Sequence, residues 1–292
     1  GHDASAADDL MAQTRALAEA CIIDLERDAG IGTPRMPEVT RFGIDGDPFE
    51  VLRAKAEAAI PARYPGASAA HERELQDRLA HELRTVRKLG FAPAFLTVSH
   101  VVELIKEMGV RVQARGSGVG SLLNYLLYTS HVEPVSLGLI WERFLSDERR
   151  TLPDIDLDVE SAERHRVYHR IFDEFGGQRV TLMSMVNTYG SRGAVRDAGL
   201  ALGLADGEVD RIAKELWRFS AKRFRQALAE KPELREFAEE VRRSRQLEVL
   251  VEATERLDSL PRHISVHPCG VILSDVSLLD RTPVQMSGIG LP

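Results

Sequence analysis

Leu152-Pro-Asp-Ile-Asp-Leu-Asp-Val159 places three aspartates, Asp154, Asp156 and Asp158, at alternate positions with apolar residues between them. Successive side chains of a strand point to opposite faces, so Ile155, Leu157 and Val159 can turn inward while the carboxylates share the other face, roughly 7 Å apart at successive positions. Crowded carboxylates repel, and a hard cation with oxygen ligands, such as magnesium, relieves the repulsion. Two such ions about 4 Å apart form the clamp that serves phosphoryl transfer. The same pattern also describes the solvent face of an ordinary amphipathic strand, and the spacing alone leaves both readings open.

Upstream, Gly109-Val-Arg-Val-Gln-Ala-Arg-Gly-Ser-Gly-Val-Gly-Ser-Leu-Leu-Asn124 supplies a second signal. Val110, Val112 and Ala114 alternate as in a short strand, Gly116 to Gly120 make a tight turn, and Leu122 to Leu127 continue as a helix. Such a turn is expected to leave amides free at a positive helix end, where phosphate oxygens approach without Cβ obstruction, with Arg115 adding charge and Ser117 a hydroxyl. It is neither a P-loop, since no lysine follows the last glycine, nor the dinucleotide spacing, since the glycines fall as GxGxG. An ordinary strand-to-helix turn would look the same. A turn able to hold a triphosphate and an acidic strand able to hold metal are, together, the two halves of a nucleotidyltransferase site.

Residues 90 to 200 resemble the bacterial family C DNA polymerases, the α subunit of DNA polymerase III and its error-prone relatives. The resemblance rests on Phe95-Leu-Thr-Val98, Ala114-Arg-Gly-Ser-Gly-Val-Gly-Ser121, Glu142-Arg-Phe-Leu-Ser-Asp-Glu-Arg149 and Pro153-Asp-Ile-Asp-Leu-Asp158, continuing through Tyr189-Gly-Ser-Arg-Gly-Ala-Val-Arg-Asp-Ala-Gly199 to His267-Pro-Cys-Gly-Val-Ile272. It implies an α/β fold: a nucleotidyltransferase palm of the polymerase-beta-like kind with an inserted, mostly helical thumb. Asp156 and Asp158 match the family's catalytic, metal-binding aspartates, which work with two Mg2+ ions, and Asp154 would support them. Gly116 and Ser117, with Arg115 beside them, match the pair that holds the triphosphate; Arg143 and Arg149 match supporting arginines. Primer-template DNA and deoxynucleoside triphosphates are the implied partners, with a sliding clamp and other replication or repair subunits in the longer protein. The family's third aspartate and its fingers are expected outside these 292 residues, so the stretch alone is expected to be silent. Val159, Pro268-Cys269 and Asn187-Thr-Tyr189 lean toward the error-prone, damage-tolerant branch.

The division expected is a linker remnant at 1–6, palm at 7–187, helical thumb at 188–265 and a return strand at 266–292. A formal charge of −7 is unlike that of a free-standing nucleic-acid binder, so DNA contact must come from a local basic face. Arg192, Arg196, Arg211, Lys214, Arg218, Lys222, Arg223 and Arg225 are its candidates, with Glu215 the opposing charge between Arg211 and Arg225 and with Phe219 and Phe224 expected to pack inward. A solvated helix face would look the same. His263, His267 and Cys269 lack a fourth zinc ligand and read better as part of a strand. Two cysteines, no apolar run of ~20 residues and no signal-like start suggest a reducing cytoplasm without a membrane, and the resemblance implies a bacterial, nucleoid-associated setting. Two other functions fit the residues: a template-independent metal-dependent nucleotidyltransferase, and a DNA-binding or docking module that does no chemistry.

Among the elements, a helix is expected over Ala7 to Arg27, loop with short strands over Gly30 to Pro65, and a helix with Leu75, Leu79, Leu83, Val86 and Leu89 on one face, stopped by Gly90. Further helices are expected over Val101 to Met108 and Ala162 to Phe175, a buried strand over Val180 to Val186, and helices from Arg192 to Leu260.

Overall fold

Proline at the first position of a helix costs little, because its missing N–H has no intrahelical partner there. That rule explains the first departure from the sequence reading. In a computed structural model that describes residues 2–24, 26–28, 30–149, 151–216 and 220–292, the proline-rich stretch contains a helix, Pro48–Arg63. The Asp47 carboxylate caps it by accepting from the Phe49 amide, and Pro61 falls in its last turn. Before it, the first helix, α1 (His2–Ala20), ends short of the expected Arg27. The Asp24 carboxylate accepts from the Glu26 and Arg27 amides, offering this backbone a turn in place of a helix. Arg218 and Phe219 lie outside the described residues.

The chain divides into two units, Gly1–Thr181 with Val271–Pro292, and Leu182–Gly270. In the first, the Pro48–Arg63 helix is α2, followed by α3 (Ala69–Leu89), which buries Leu75, Leu79, Leu83 and Val86 and ends at Gly90 in the left-handed conformation, φ 70°. The next helix, α4 (Ala92–Glu107), begins well before the expected Val101, because the Phe95-Leu-Thr-Val98 segment is itself helical, with Phe95, Leu96 and Thr97 buried. Strand β1 (Val112–Arg115) leads through a 3-10 turn (Gly116–Gly120) into the short α5 (Leu122–Leu126). Strand β2 (Asp156–Val159) pairs antiparallel with β1 and precedes α6 (Arg164–Phe175). Leu52, Phe95, Leu122, Leu123, Trp141 and Phe144 fill the core of this unit, with Ile155 packed against it.

Strand β3 (Val180–Thr188) is buried only at its start, unlike the buried strand expected there. In the second unit, α7 (Ser191–Ala201), α8 (Asp206–Glu215), α9 (Phe224–Glu230), α10 (Arg235–Arg243) and α11 (Arg245–Leu257) enclose Val195, Ile212, Phe224, Phe237 and Leu250. Phe224 points inward as expected and stacks on Phe237 at 6.1 Å. Strand β4 (Pro261–Leu273) pairs with β3, and a short helix α12 (Leu278–Arg281) follows it in the first unit. The class is mixed α/β, but the described strands make two separate two-stranded sheets, with most of the remaining structure helical. Among the described residues no single helix is long and apolar enough to cross a membrane.

Within the second unit, Arg262 of β4 binds Asp197 of α7 through two hydrogen bonds, 2.8 and 2.9 Å. That guanidinium, aided by Tyr189, holds the Asp197 carboxyl below its ordinary value of 3.8. A carboxylate depressed in the folded state stabilises it above the unfolded value, and the contribution disappears as pH falls through the folded value. Urea unfolding at descending pH is therefore expected to show stability falling below 3.8. In Arg262→Ala the part of that loss that depends on the pair should be missing, so its acid limb should be shallower.

Candidate active site

Directly opposed residues of an antiparallel pair present their side chains on the same face. The register pairs Arg115 with Asp156, Gln113 with Asp158, and Val112 with Val159. Asp156 and Asp158 therefore share a face with Arg115 and Gln113, and both are exposed, whereas Leu157 and Val159 are half-buried on the other. Asp154, ahead of the strand, is exposed as well. The alternation anticipated from the sequence is thus present in space.

The glycine turn lies against this face. Gly116 has φ 68°, a conformation that L side chains rarely adopt, and a Cβ placed on it would stand 3.7 Å from Asp156 Oδ2. A Cβ on Gly120 would come within 3.1 Å of the Ile140 carbonyl oxygen, so a side chain there would have to push that backbone aside by a few tenths of an ångström. Arg115, Gly116 and Ser117 are exposed, while Gly118 and Gly120 are buried. Arg115 Nε lies 3.1 Å from Asp158 Oδ1, and the two side chains are 64% and 61% exposed. An ion pair so open to water contributes little and yields readily to a stronger cation or anion.

One expectation needs correction. The amides at the start of α5 are not left free for phosphate, because Glu82 of α3, 0% exposed, already occupies them. Its carboxylate accepts from the Leu122 amide at 2.9 Å, the Leu123 amide at 3.1 Å and Ser121 Oγ at 3.0 Å. Arg78 Nε donates to it at 2.9 Å, and the same guanidinium reaches the Gly120 and Leu139 carbonyls. Burial raises the Glu82 carboxyl above its ordinary value, while the amides and Arg78 pull it down. An internal anion thus takes the positive helix end and bolts the turn to α3. Glu82 was overlooked in the sequence, although it interrupts the apolar stripe of α3 between Leu79 and Val86, and an acid in such a stripe demands donors. Asn124, also buried, donates to the Gly118 carbonyl at 2.9 Å and fixes the inner side of the turn.

The remaining candidates scatter. Arg149 donates to the Phe144 carbonyl at 2.8 Å and holds its loop, and Arg143 is exposed. In the second unit the basic stretch is less open than its sequence suggests. Arg196 is bound to Asp210, Arg211 to Glu240 and to Glu215 one turn along its own helix, and Arg225 to Glu248 and Glu255. Arg192, Lys214, Lys222 and Arg223 are exposed. On β4, His267 Nδ1 accepts from the Cys269 amide, and His263 Nε2 lies 3.4 Å from Asn187 Nδ2. Among the described residues no group of three or more His, Cys, Asp or Glu side chains is arranged to hold one metal ion. The donors on the carboxylate face are of the right chemistry for a hard divalent ion, which commonly takes one or two carboxylates and fills its remaining positions with water or phosphate.

Comparison with known proteins agrees with the motifs. The family model described as Bacterial DNA polymerase III alpha NTPase domain matches residues 50–289. The chain belongs to this family. It is 36% identical over 231 residues to an error-prone DNA polymerase of Symbiobacterium thermophilum, covering 78% of this chain and 21% of that protein. It is 35% identical over 276 residues to one of Pseudomonas aeruginosa, covering 94% and 25%, and 31% identical over 279 residues to one of Corynebacterium glutamicum, covering 95% and 23%. The chain thus spans roughly a fifth to a quarter of the length of these curated relatives.

The Glu82 anchor yields a prediction. Glu82→Ala strips the acceptor from two buried amides and a buried hydroxyl, and should cost about 3–5 kcal/mol of stability in urea unfolding. Glu82→Gln, which keeps one acceptor oxygen, should cost less.

Proposed function

We propose that this chain is the part of a template-directed DNA polymerase that carries two of its catalytic carboxylates and the cradle for the incoming triphosphate. The observation that carries the reading is the shared exposed face of Asp156 and Asp158, with the Asp156 carboxylate against the Gly116 turn. Asp156 and Asp158 would hold divalent metal, for which Mg2+ is the natural ion, with Asp154 close by in sequence. The bound metal would supply positive charge at the reacting phosphate and favour the ionised form of the attacking hydroxyl. Arg115, Gly116 and Ser117 would bind the triphosphate oxygens, Arg115 by exchanging its bond to Asp158 for one to phosphate. In the reaction the primer 3′ oxygen bonds to the α-phosphorus as the bond to the bridging oxygen breaks. Pyrophosphate leaves with the electron pair, and the hydroxyl proton passes to water.

The helical second unit is proposed as the thumb, with Arg192, Lys222 and Arg223 its exposed candidates for backbone phosphates. Such contacts do not read sequence and weaken as salt rises. The first unit is proposed as the palm. The similarity to error-prone DNA polymerases favours that branch, and a sliding clamp and other replication or repair subunits are proposed partners of the longer protein, in the bacterial cytoplasm at the nucleoid. Since the face offers two carboxylates, the 292-residue chain alone is inferred to bind metal weakly and to leave a primer unextended.

Titration with Mn2+ followed by electron paramagnetic resonance tests the site. The chain should bind the ion, Asp156→Asn and Asp158→Asn should each weaken binding at least about tenfold, a loss of about 1.4 kcal/mol or more, and templated primer extension should be absent. Arg115→Gln should bind Mn2+ up to about fivefold more tightly, the scale of an exposed ion pair. Binding indifferent to both aspartates would overturn the assignment, and extension by the chain alone would overturn its inferred silence.

A further inference from the structure

The carboxylate face has two ends. At the Asp156 end stands the glycine turn. At the Asp158 end opens a groove of about 720 Å³, lined by Lys106, Arg111, Gln113, His131, Asp158 and Glu160 over a floor that includes Val110 and Val112. Its volume falls within the range of about 300–1,000 Å³ typical of sites for small ligands. Asp158 is thus a wall of the groove and a member of the metal-binding pair proposed above.

The groove sets Lys106 and Arg111 against Asp158 and Glu160, and both carboxylates already face an arginine. Glu160 is bound to Arg111 at 2.9 Å, and Asp158 is bound to Arg115 at 3.1 Å. Glu103, on the same helix as Lys106, is bound to Lys55 at 3.5 Å. Lys106 Nζ donates to the Tyr128 carbonyl at 2.6 Å, and an ammonium has further N–H groups to give. Behind it, Arg63 lies over the Tyr125 ring at 3.5 Å and donates to the Ser130 carbonyl. Burial and the Arg63 charge push Lys106 below its ordinary value, and burial with Lys106 and Arg63 does the same to His131. The Lys106 cation, disfavoured by its own neighbours, gains from an arriving anion.

The geometry of phosphoryl transfer says which anion belongs here. Attacking and leaving oxygens stand in line on opposite sides of the phosphorus, both clamped by the metal that the carboxylates hold. With the triphosphate at Arg115–Ser117, the strand that attacks must come from the Asp158 side. We propose that this groove holds the 3′-terminal nucleotide of the primer strand, with Lys106 bound to its phosphodiester and His131 beside it. The inference rests on the polymerase reading, and assigns to Lys106, Gln113 and His131 a role that the family motifs do not touch.

Photo-crosslinking tests it in the full chain with Mn2+. One probe is a primer-template duplex whose primer ends in 4-thiothymidine; the other is a nucleoside triphosphate with a photoreactive γ-phosphate, and both are mapped by peptide mass spectrometry. The primer label is expected on 106–113 or His131, and the triphosphate label on 115–117. Lys106→Gln should lower the primer yield by about threefold to fivefold, the scale of a partly exposed charge contact, and leave the triphosphate yield unchanged. A triphosphate label at the turn with the primer end mapped elsewhere, or a primer yield indifferent to Lys106→Gln, would overturn the groove assignment and leave the polymerase reading standing. Absence of both labels, or a primer end mapped to the turn, would overturn both.

Discussion

The pairing of Arg115 with Asp156 and of Gln113 with Asp158 is the constraint from which the rest of the site follows. Strand side chains alternate with a period of two, so a slip of one residue would send both carboxylates toward the core and bring Leu157 to the surface. The buried neighbours oppose such a slip. Val112 and Ala114 are 5% and 1% exposed, and Ile155 is packed against the core cluster around Phe144 and Trp141. Hydrophobic burial on one face thus fixes the position of acids on the other.

A second constraint keeps the turn in place. The helix that follows the glycines is only Leu122–Leu126, too short to be stable by itself. Glu82 supplies what it lacks, taking its first amides and linking it, through Arg78, to the carbonyls of Gly120 and Leu139. The anion that a helix start attracts is here part of the protein. Phosphate oxygens must then be met by the outer part of the turn and by Arg115, which moves the proposed triphosphate toward Asp156 and away from the helix axis.

Much of this was readable in the residues. The alternation around Asp154, Asp156 and Asp158, the strand-turn-helix order at Val112 to Leu126, and the α3 stripe ending at Gly90 follow from local rules of period and backbone freedom, and the structure has them where the sequence puts them. Other features depend on partners distant in sequence. Nothing near Arg196, Arg211 or Arg225 announces Asp210, Glu240 or Glu248, so a stretch that looks like a basic face is partly a set of internal ion pairs. The Pro48–Arg63 helix was hidden by its proline content, although Asp47-Pro48 is a capping signal that weighs more than the count. Glu82 was hidden for the opposite reason, sitting inside a stripe whose regularity drew attention to its leucines.

The site requires the carboxylate pair to lie close to the glycine turn. Paramagnetic broadening of backbone amide signals by bound Mn2+ measures that nearness directly, since its effect falls steeply with distance from the ion. Strongest broadening at Gly116, Ser117 and 156–158, removed by Asp158→Asn, is the result this account predicts. Broadening centred elsewhere in the chain, with the Gly116 and Ser117 signals left sharp, would contradict it.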